Sequence, residues 1–417
     1  MSTPRTRLTP EVAIVGGGPA GLRAASELAQ SVSGDVLVLE REHEAGGIPR
    51  HCAHTGFGIR DLHRVLNGPD YARRLVRATE AAGAVIRTDA MVTGWTGDGG
   101  LEVTTPAGLA QVHAKAIVLA TGARERPRTA RMIPGDRPDG VYTTGMLQNL
   151  VHLHHREAGT RAVIVGSELV SWSAVLTLRH AGCRTVLMTS EHRRPEAYAA
   201  FTVPGRLGLR VPVRTRTRVA RVIGKGRVEA VEIEHLDSGS RDVVECDTVV
   251  FTGDWIPDNE LVRAAGLPLD GGTCGPVVDS ELRTARPGLF AAGNVVHPVD
   301  TADVAALDGV QVATSVLEHF AGRAGESGGV RIVADEPLRW VSPMVHTPGG
   351  RGPTRGRLLA WADTYRPFPR VTVRQAGEVI ARRRVPWPAA PGRVFRIPGE
   401  LLDAARPDGG ELRISLG

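Results

Sequence analysis

Four consecutive apolar residues, Val12-Ala13-Ile14-Val15, run into Gly16-Gly17-Gly18-Pro19-Ala20-Gly21, and apolar positions then recur at helical spacing from Leu22 to Leu28. The pattern predicts a buried strand, a glycine turn and an amphipathic helix. Val36-Leu37-Val38-Leu39 follows as another buried strand ending on Glu40, which closes a β-α-β unit within about 30 residues. The arrangement recurs: Ala162-Val163-Ile164-Val165-Gly166, a helical stretch to His180, and Thr185-Val186-Leu187-Met188. Each unit has a later closing strand that ends in a tight turn, Ala116 to Gly122 for the first and Thr248 to Gly253 for the second. Gly288-Leu289-Phe290-Ala291-Ala292-Gly293-Asn294 then reads as a return to the first unit, with a helix from Thr301 to about Phe320. Residues 321–329, rich in Gly and Arg, read as a linker. Short alternating runs beyond it, at Arg370-Val373, Glu378-Ile380 and Glu411-Ile414, predict a small β domain.

The expected fold class is therefore α/β, with two Rossmann-like dinucleotide-binding domains and a small, mainly β C-terminal domain. The expected boundaries are a flexible N-terminus over 1–10, a discontinuous first domain over 11–150 and 251–322, a second domain over 151–250, and the C-terminal domain over 330–417.

Composition narrows the function. At 42% hydrophobic and 23% charged residues, the 417-residue chain has the balance of an ordinary globular protein. It has no apolar run of transmembrane length and no apolar leader near Met1, so no membrane span is expected and the cytoplasm is the expected compartment. The net charge of +6 comes almost wholly from arginine, interspersed with 45 acids and without interleaved aromatics, so nucleic-acid binding is not expected. Cys52, Cys183, Cys246 and Cys274 form no C-x-x-C pair, which argues against a disulfide framework, a metal site or dithiol chemistry.

The first glycine turn carries the strongest chemical signal. Gly16 permits the tight turn, Gly18 lets a pyrophosphate approach the backbone, and Gly21 lets helix and strand pack closely, while the helix N-terminus supplies N–H donors. Glu40 lies 24 residues after Gly16 at the end of the next strand, where it can accept from ribose hydroxyls and would repel a 2′-phosphate. FAD or NAD is favoured over NADP.

The distant segment Thr284-Ala285-Arg286-Pro287-Gly288-Leu289-Phe290-Ala291-Ala292-Gly293-Asn294 decides between them. With Ala120-Thr121-Gly122, it resembles flavoproteins that have two dinucleotide-binding domains, the group of glutathione and thioredoxin reductases. The resemblance covers roughly residues 11 to 320 and implies FAD. In that group Asn294 is usually Asp. The resemblance also places Pro19, Ala20, Arg41, Gly47, Arg50, Val92, Ala120, Thr121, Gly122, Gly293 and Asn294 around the cofactor, with Asp300 or Thr301 capping a helix whose positive end faces the flavin. The stretch Ala120 to Pro127, with Pro134-Gly135 and Pro138 to Val141, is similar to FAD subunits of opine oxidase, hydrogen cyanide synthase and heteromeric proline or sarcosine dehydrogenases. Gly46 to Gly58 is similar to flavoproteins associated with glycerol-3-phosphate-type dehydrogenases.

The second glycine turn reads Gly166-Ser167-Glu168-Leu169-Val170-Ser171, so only its first glycine remains. A carboxylate at Glu168 about 4 Å from a phosphate would cost roughly 4 kcal/mol at an effective dielectric near 20, and NAD(P)H binding is not expected there. His192-Arg193-Arg194 is the contrary sign, a basic triplet that resembles the NADPH grip of thioredoxin reductases. His51, Cys52 and His54 are the candidate catalytic residues, either as proton donor or base or simply as hydrogen-bonding groups beside the flavin. His152, His154 and His155 read as a solvated face, and no metal is expected.

The expected function is an FAD-dependent oxidoreductase, a subunit of a heteromeric flavin dehydrogenase. Its expected partners are a substrate-oxidising flavoprotein subunit or a [2Fe-2S] protein, and its expected substrate is a small amine, amino acid or hydroxy acid. The alternatives are an independent NAD(P)H-dependent flavin reductase and a non-catalytic flavin-binding scaffold.

Overall fold

In the computed structural model the described residues are 6–323 and 329–417. Along the first domain run β1 (Val12–Val15), α1 (Pro19–Ala29), β2 (Val36–Leu39), α2 (Gly68–Ala81), β3 (Val85–Arg87) and β4 (Ala116–Leu119). The second domain carries β5 (Val141–Thr143), β6 (Arg161–Val165), α3 (Leu169–His180), β7 (Arg184–Thr189), β8 (Val213–Arg214) and β9 (Thr248–Phe251). The chain then returns to the first domain with β10 (Leu289–Ala291) and α4 (Ala302–Phe320).

Each domain is built on a five-stranded parallel sheet, in the order β10-β4-β1-β2-β3 in the first and β5-β9-β6-β7-β8 in the second. Parallel sheets are covered on both faces, so their central strands read as unbroken apolar runs. Accordingly, all four residues of β1, β2, β4 and β9 are buried. Antiparallel pairing of Ala123–Glu125 with Trp255–Pro257 forms the ribbon that joins the domains.

Helices α1 and α4 pack at unusually short range. A Cβ on Gly309 would collide with the Ala20 carbonyl oxygen, and one on Gly293 would lie 2.8 Å from the Ala20 Cβ. The small residues of α1, Ala20, Gly21, Ala24 and Ala25, are all buried and permit this approach.

Two facing sheets form the C-terminal domain. One contains Val330–Ala334, Arg370–Gln375, Glu378–Arg384 and Leu412–Leu416; the other contains Leu338–Ser342, Arg357–Ala362 and Val394–Pro398. Leu358, Val371, Phe395, Ile397 and Leu412 from both sheets share one apolar core. The domain leans on both of its neighbours. Against the first, Met344 N–H donates to Val278 O at 3.1 Å, and Arg351 pairs with Glu318 of α4. Against the second, the Arg393 guanidinium lies 4.6 Å from the Tyr198 ring centroid and that of Arg194 lies 4.7 Å from the Tyr365 ring centroid.

Sequence expectations shift in three places. The segment expected to be flexible through residue 10 is ordered from Thr6, because Thr6–Leu8 pairs in parallel with Gly108–Val112 at a sheet edge; residues 1–5 lie outside the described ones. Val141–Thr143, placed by pattern in the first domain, belongs to the second sheet beside Thr248–Phe251, which moves the boundary back to the ribbon near Glu125. Cys183, Cys246 and Cys274 flank predicted strands and are expected to be buried small residues or inert thiols; Cys183 and Cys246 are buried, but Cys274 is exposed on a loop.

Gly309→Ala should force α1 and α4 apart and destabilise the protein by about 1–3 kcal/mol, the usual cost of overpacking. Thermal melts of the variant should show a clear fall beside an unchanged Gly208→Ala control, whose added Cβ meets nothing within 4 Å.

Candidate functional site

The site begins with backbone geometry that side chains would obstruct. Gly16 adopts φ +108°, and a Cβ there would strike the Ala120 carbonyl oxygen; a Cβ on Gly21 would strike the Gly16 oxygen. Gly18 differs: nothing lies within 4 Å of its Cβ position, so this part of the turn faces open space at the N-terminus of α1. Pro19 opens the helix without wasting a donor, and Ala20 is buried beneath it. Gly47, at φ +61°, closes the turn from the other side, where a Cβ would lie 2.9 Å from the Gly18 Cα.

Glu40 is buried at the end of β2. It accepts from Gly17 N–H at 2.8 Å and from Glu42 N–H at 2.9 Å. Two of its roughly four acceptor positions are thus used to hold the glycine turn and the following bend, and the remaining lone pairs are left for ribose hydroxyls. This brace on Gly17 was not legible in the sequence.

Across the turn, Thr121 Oγ1 donates to Asp258 O at 2.7 Å, which holds the Ala120-Thr121-Gly122 strand end against the ribbon. Asn294 and Asp300 grip each other: the Asn294 amide donates to Asp300 O at 3.0 Å, and Asp300 N–H donates to the Asn294 side-chain oxygen at 3.2 Å. Thr301 occupies the N-cap position of α4, but its hydroxyl donates to Asp303 at 2.5 Å instead of capping a backbone amide. Asp300 Oδ1 accepts from Thr301 N–H at 2.8 Å, and its buried Oδ2 has no partner. Arg60 clamps Asp303 at 3.1 Å.

Other expected cofactor neighbours are engaged elsewhere. Arg41 pairs with Asp258 at 3.3 Å and is well exposed. The Arg50 guanidinium donates to Glu44 O at 2.6 Å, and its Nε lies 3.6 Å from the Glu44 carboxylate without a hydrogen bond. Val92 is half-buried and packs on the first core.

The candidate catalytic residues do not converge. His51 and Cys52 are buried where the two dinucleotide domains meet. The Cys52 thiol donates to Gln148 Oε1 at 3.3 Å, and Gln148 donates in turn to Ser173 of α3 at 2.6 Å. Burial, reinforced by Glu125, pushes the thiol up to about 12, so it stays protonated. Burial and the Arg50 charge push His51 down to about 4, which leaves it neutral and a poor base. His54 is half-buried, with Nδ1 2.9 Å from Thr55 O. The domain interface desolvates His51 and Cys52, which favours their neutral forms over proton or thiol chemistry. His154 and His155 are exposed, as expected of a solvated face, whereas His152 is half-buried and packs against His180 at 5.1 Å between ring centroids.

Glu125 is the residue the pattern missed. Its carboxyl accepts from Gly145 N–H at 2.9 Å and Gly253 N–H at 3.2 Å, and burial holds its pKa above the ordinary range. Its only sequence signal was the Arg124-Glu125-Arg126-Pro127 stretch.

The second glycine turn is filled. Gly253 could carry no Cβ beside the Glu168 carboxyl, and a Cβ on Gly392 of the C-terminal domain would lie 3.1 Å from Glu168 Cγ. Ser167 and Ser190 hydroxyls donate to Glu196, which lies beneath Gly392. Desolvation, then the nearby carboxylates of Glu196 and Glu125, push Glu168 up to about 8, against the pull of Arg131. Occupied volume therefore obstructs this turn, and the upward shift of the Glu168 pKa weakens the charge repulsion expected there. Arg194, stacked on Tyr365, is no free phosphate ligand.

A family profile, that of the pyridine nucleotide-disulphide oxidoreductases, matches residues 10–309, which include both dinucleotide domains. The chain belongs to the pyridine nucleotide-disulphide oxidoreductase family. It is 27% identical over 323 residues to a ferredoxin–NADP reductase of Gluconacetobacter diazotrophicus, covering 69% of this chain and 84% of that relative. It is 26% identical over 315 residues to an opine oxidase subunit of Rhizobium meliloti, covering 68% of this chain and 58% of that one. Among solved structures, thioredoxin reductase of T. acidophilum superposes with a TM-score of 0.63 at 22% identity, covering 75% of this chain and 99% of the other. Relatives of this pyridine nucleotide-disulphide oxidoreductase thus include named reductases as well as the subunit type expected from sequence. As a member of the family the chain is an FAD-dependent oxidoreductase, and the glycine turn, Glu40 and the unpartnered Asp300 oxygen suit that cofactor. No described helix is long and apolar enough to cross a membrane.

Glu40→Ala removes an ionised acceptor and frees the Gly17 turn, so FAD should bind about ten- to a hundredfold more weakly. Flavin retained through gel filtration and FAD fluorescence titration provide the check. The raised Glu168 value has a defined sign: the native carboxyl keeps a proton that the unfolded chain releases above the ordinary carboxylate pKa. Stability should therefore fall as pH rises from there through about 8 and level off above it. Melts of Glu168→Gln between pH 5 and 9 should show a flatter profile and a higher midpoint at pH 8 than the unmodified protein.

Proposed function

We propose that this chain is the FAD-carrying subunit of a heteromeric flavin dehydrogenase, exchanging electrons with a partner flavoprotein or iron–sulfur protein instead of with NAD(P)H. The observation that carries the reading is the filled second turn, where Glu168 lies against Gly253 and beneath Gly392 of the C-terminal domain. A nicotinamide nucleotide docking in the manner of its fold would have to displace a carboxyl and a neighbouring domain together. The likeness to an opine oxidase subunit supports the heteromeric form. The cysteines support an acceptor other than a disulfide: three are buried, and the Cys52 thiol is held protonated.

In this reading the chain's own groups bind and position. The Gly16–Gly21 turn and Glu40 hold the dinucleotide half of the cofactor. The Asn294–Asp300 pair holds the segment that leads into α4, whose N-terminal backbone N–H groups would favour negative charge on a reduced flavin. FAD supplies the two-electron chemistry when bound. A small amine, amino acid or hydroxy acid is the proposed ultimate donor, and the cytoplasm the proposed compartment.

The likeness to named ferredoxin–NADP reductases favours a second reading, a self-sufficient NAD(P)H-dependent reductase. Anaerobic stopped-flow mixing of the FAD-loaded protein with millimolar NADH or NADPH separates the two. Neither nucleotide should bleach the flavin at a useful rate; full reduction within about a second, the slow end of usual turnover times, would establish the second reading.

A further inference from the structure

A narrow, solvent-open cleft with an enclosed volume of about 30 Å³ lies between the inner side of α4 and the C-terminal domain. From the first domain it is lined by Leu282, His297, Val304 and Asp308, and from the C-terminal domain by Pro343, Leu359 and three arginines, Arg355, Arg357 and Arg396. The arginines are poorly matched by acids. Arg396 stands 3.4 Å from Asp300, Arg357 lies 5.4 Å from the Trp387 ring centroid, and Arg355 has no hydrogen-bonding partner among the described residues. The nearby acids are largely taken: Asp303 by Arg60, and Asp308 by His297 Nε2 at 2.5 Å and by Gly293 N–H at 3.2 Å. Arg355 also adopts φ +60°, a left-handed conformation that a residue other than glycine rarely occupies.

An independent observation points to the same space. His297 is only 2% exposed, lines the cleft, and has a buried Nδ1 without a partner. Burial opposes its charge, but the Asp308 carboxylate favours it and the net shift of its pKa is upward, towards the form in which both ring nitrogens donate. Three guanidinium groups and one unused imidazole nitrogen thus surround a space whose remaining lining includes apolar side chains.

We propose that this cleft is a binding site for a small organic carboxylate, held by Arg355 and Arg357 at its mouth and by His297 at its floor. Guanidinium groups match the two oxygens of a carboxylate or a phosphate in a fork-to-fork geometry. Leu282, Val304, Leu359 and Pro343 decide between these anions, because they give a carbon skeleton apolar surface that a bare phosphate cannot use. The site goes beyond the electron-transfer reading and does not depend on which redox partner the protein uses. It also gives the C-terminal domain a task, since the arginines come from that domain alone.

Isothermal titration of the FAD-loaded protein at low ionic strength tests this with L-lactate, L-alanine, succinate, the neutral analogue lactamide, and inorganic phosphate. At least one of the three carboxylates should bind, and lactamide should not. Arg355→Gln and Arg357→Gln, both at exposed positions, should each weaken carboxylate binding about ten- to a hundredfold, as expected for losing an ionic hydrogen bond. Their melting temperatures and flavin content should stay unchanged. Absence of carboxylate binding overturns the proposal. So does equal affinity in the two variants and the unmodified protein, and so does phosphate binding as tight as the best carboxylate. Because the readout is heat of binding, it is separate from whether NADH or NADPH reduces the flavin.

Discussion

The close approach of α1 and α4 is the constraint on which the flavin half depends. With Gly309 against the Ala20 carbonyl and Gly293 against the Ala20 side chain, the two helices touch backbone to backbone near the cofactor turn. That contact fixes the start of α4, and with it the Asn294–Asp300 pair, relative to the Gly16–Gly21 loop. Glu40 completes the frame by tying Gly17 to the end of β2. The open space beside Gly18 exists because its neighbours are held this tightly, and a pyrophosphate needs that preformed gap more than it needs any one side chain.

The second domain keeps the architecture and has lost the opening. In the first turn the third position is a glycine facing empty space; in the second the same position is Glu168, surrounded by Gly253, Glu196 and a loop of the C-terminal domain. Substitution at one site and docking of a distant domain act together there. The C-terminal domain also joins the two dinucleotide domains, through Arg351–Glu318 on one side and the Arg393–Tyr198 and Arg194–Tyr365 stacks on the other. Any rotation about the Ala123–Glu125 and Trp255–Pro257 ribbon must break one of these sets.

Buried acids cluster where the domains meet. Glu125 and Glu168 both have raised pKa values, chiefly from lost solvation, and Arg131 is the cation that moderates them. Arg131 also donates to Thr252 O at 3.0 Å and Gly253 O at 2.7 Å, so one side chain braces the end of β9 and balances charge at the seam. The cost of desolvating Cys52 and His51 has the same origin: a seam that excludes water favours neutral groups that can share hydrogen bonds, as Cys52, Gln148 and Ser173 do.

Much of the fold was legible in the sequence because its signals are local. Unbroken apolar tetrapeptides mark strands covered on both faces, a glycine-rich turn marks the strand-to-helix step, and Glu40 falls where the second strand must end. The degeneracy of the second turn was equally plain, since Glu168 replaces a glycine within a short motif. Tertiary structure decided the rest, since those properties join residues far apart in the chain. Whether Val141–Thr143 belongs to one sheet or the other depends on pairing with Thr248–Phe251. Whether Cys52 and His51 can react depends on the water expelled by Gln148 and its surroundings, more than 90 residues away. Whether Glu168 repels or merely obstructs depends on how many carboxyls share its pocket, and the grouping of Arg355, Arg357 and Arg396 opposite His297 exists only once the C-terminal domain has docked. Periodicity reports which face of an element is buried; it carries no information about which distant surface buries it, and solvation follows from that surface.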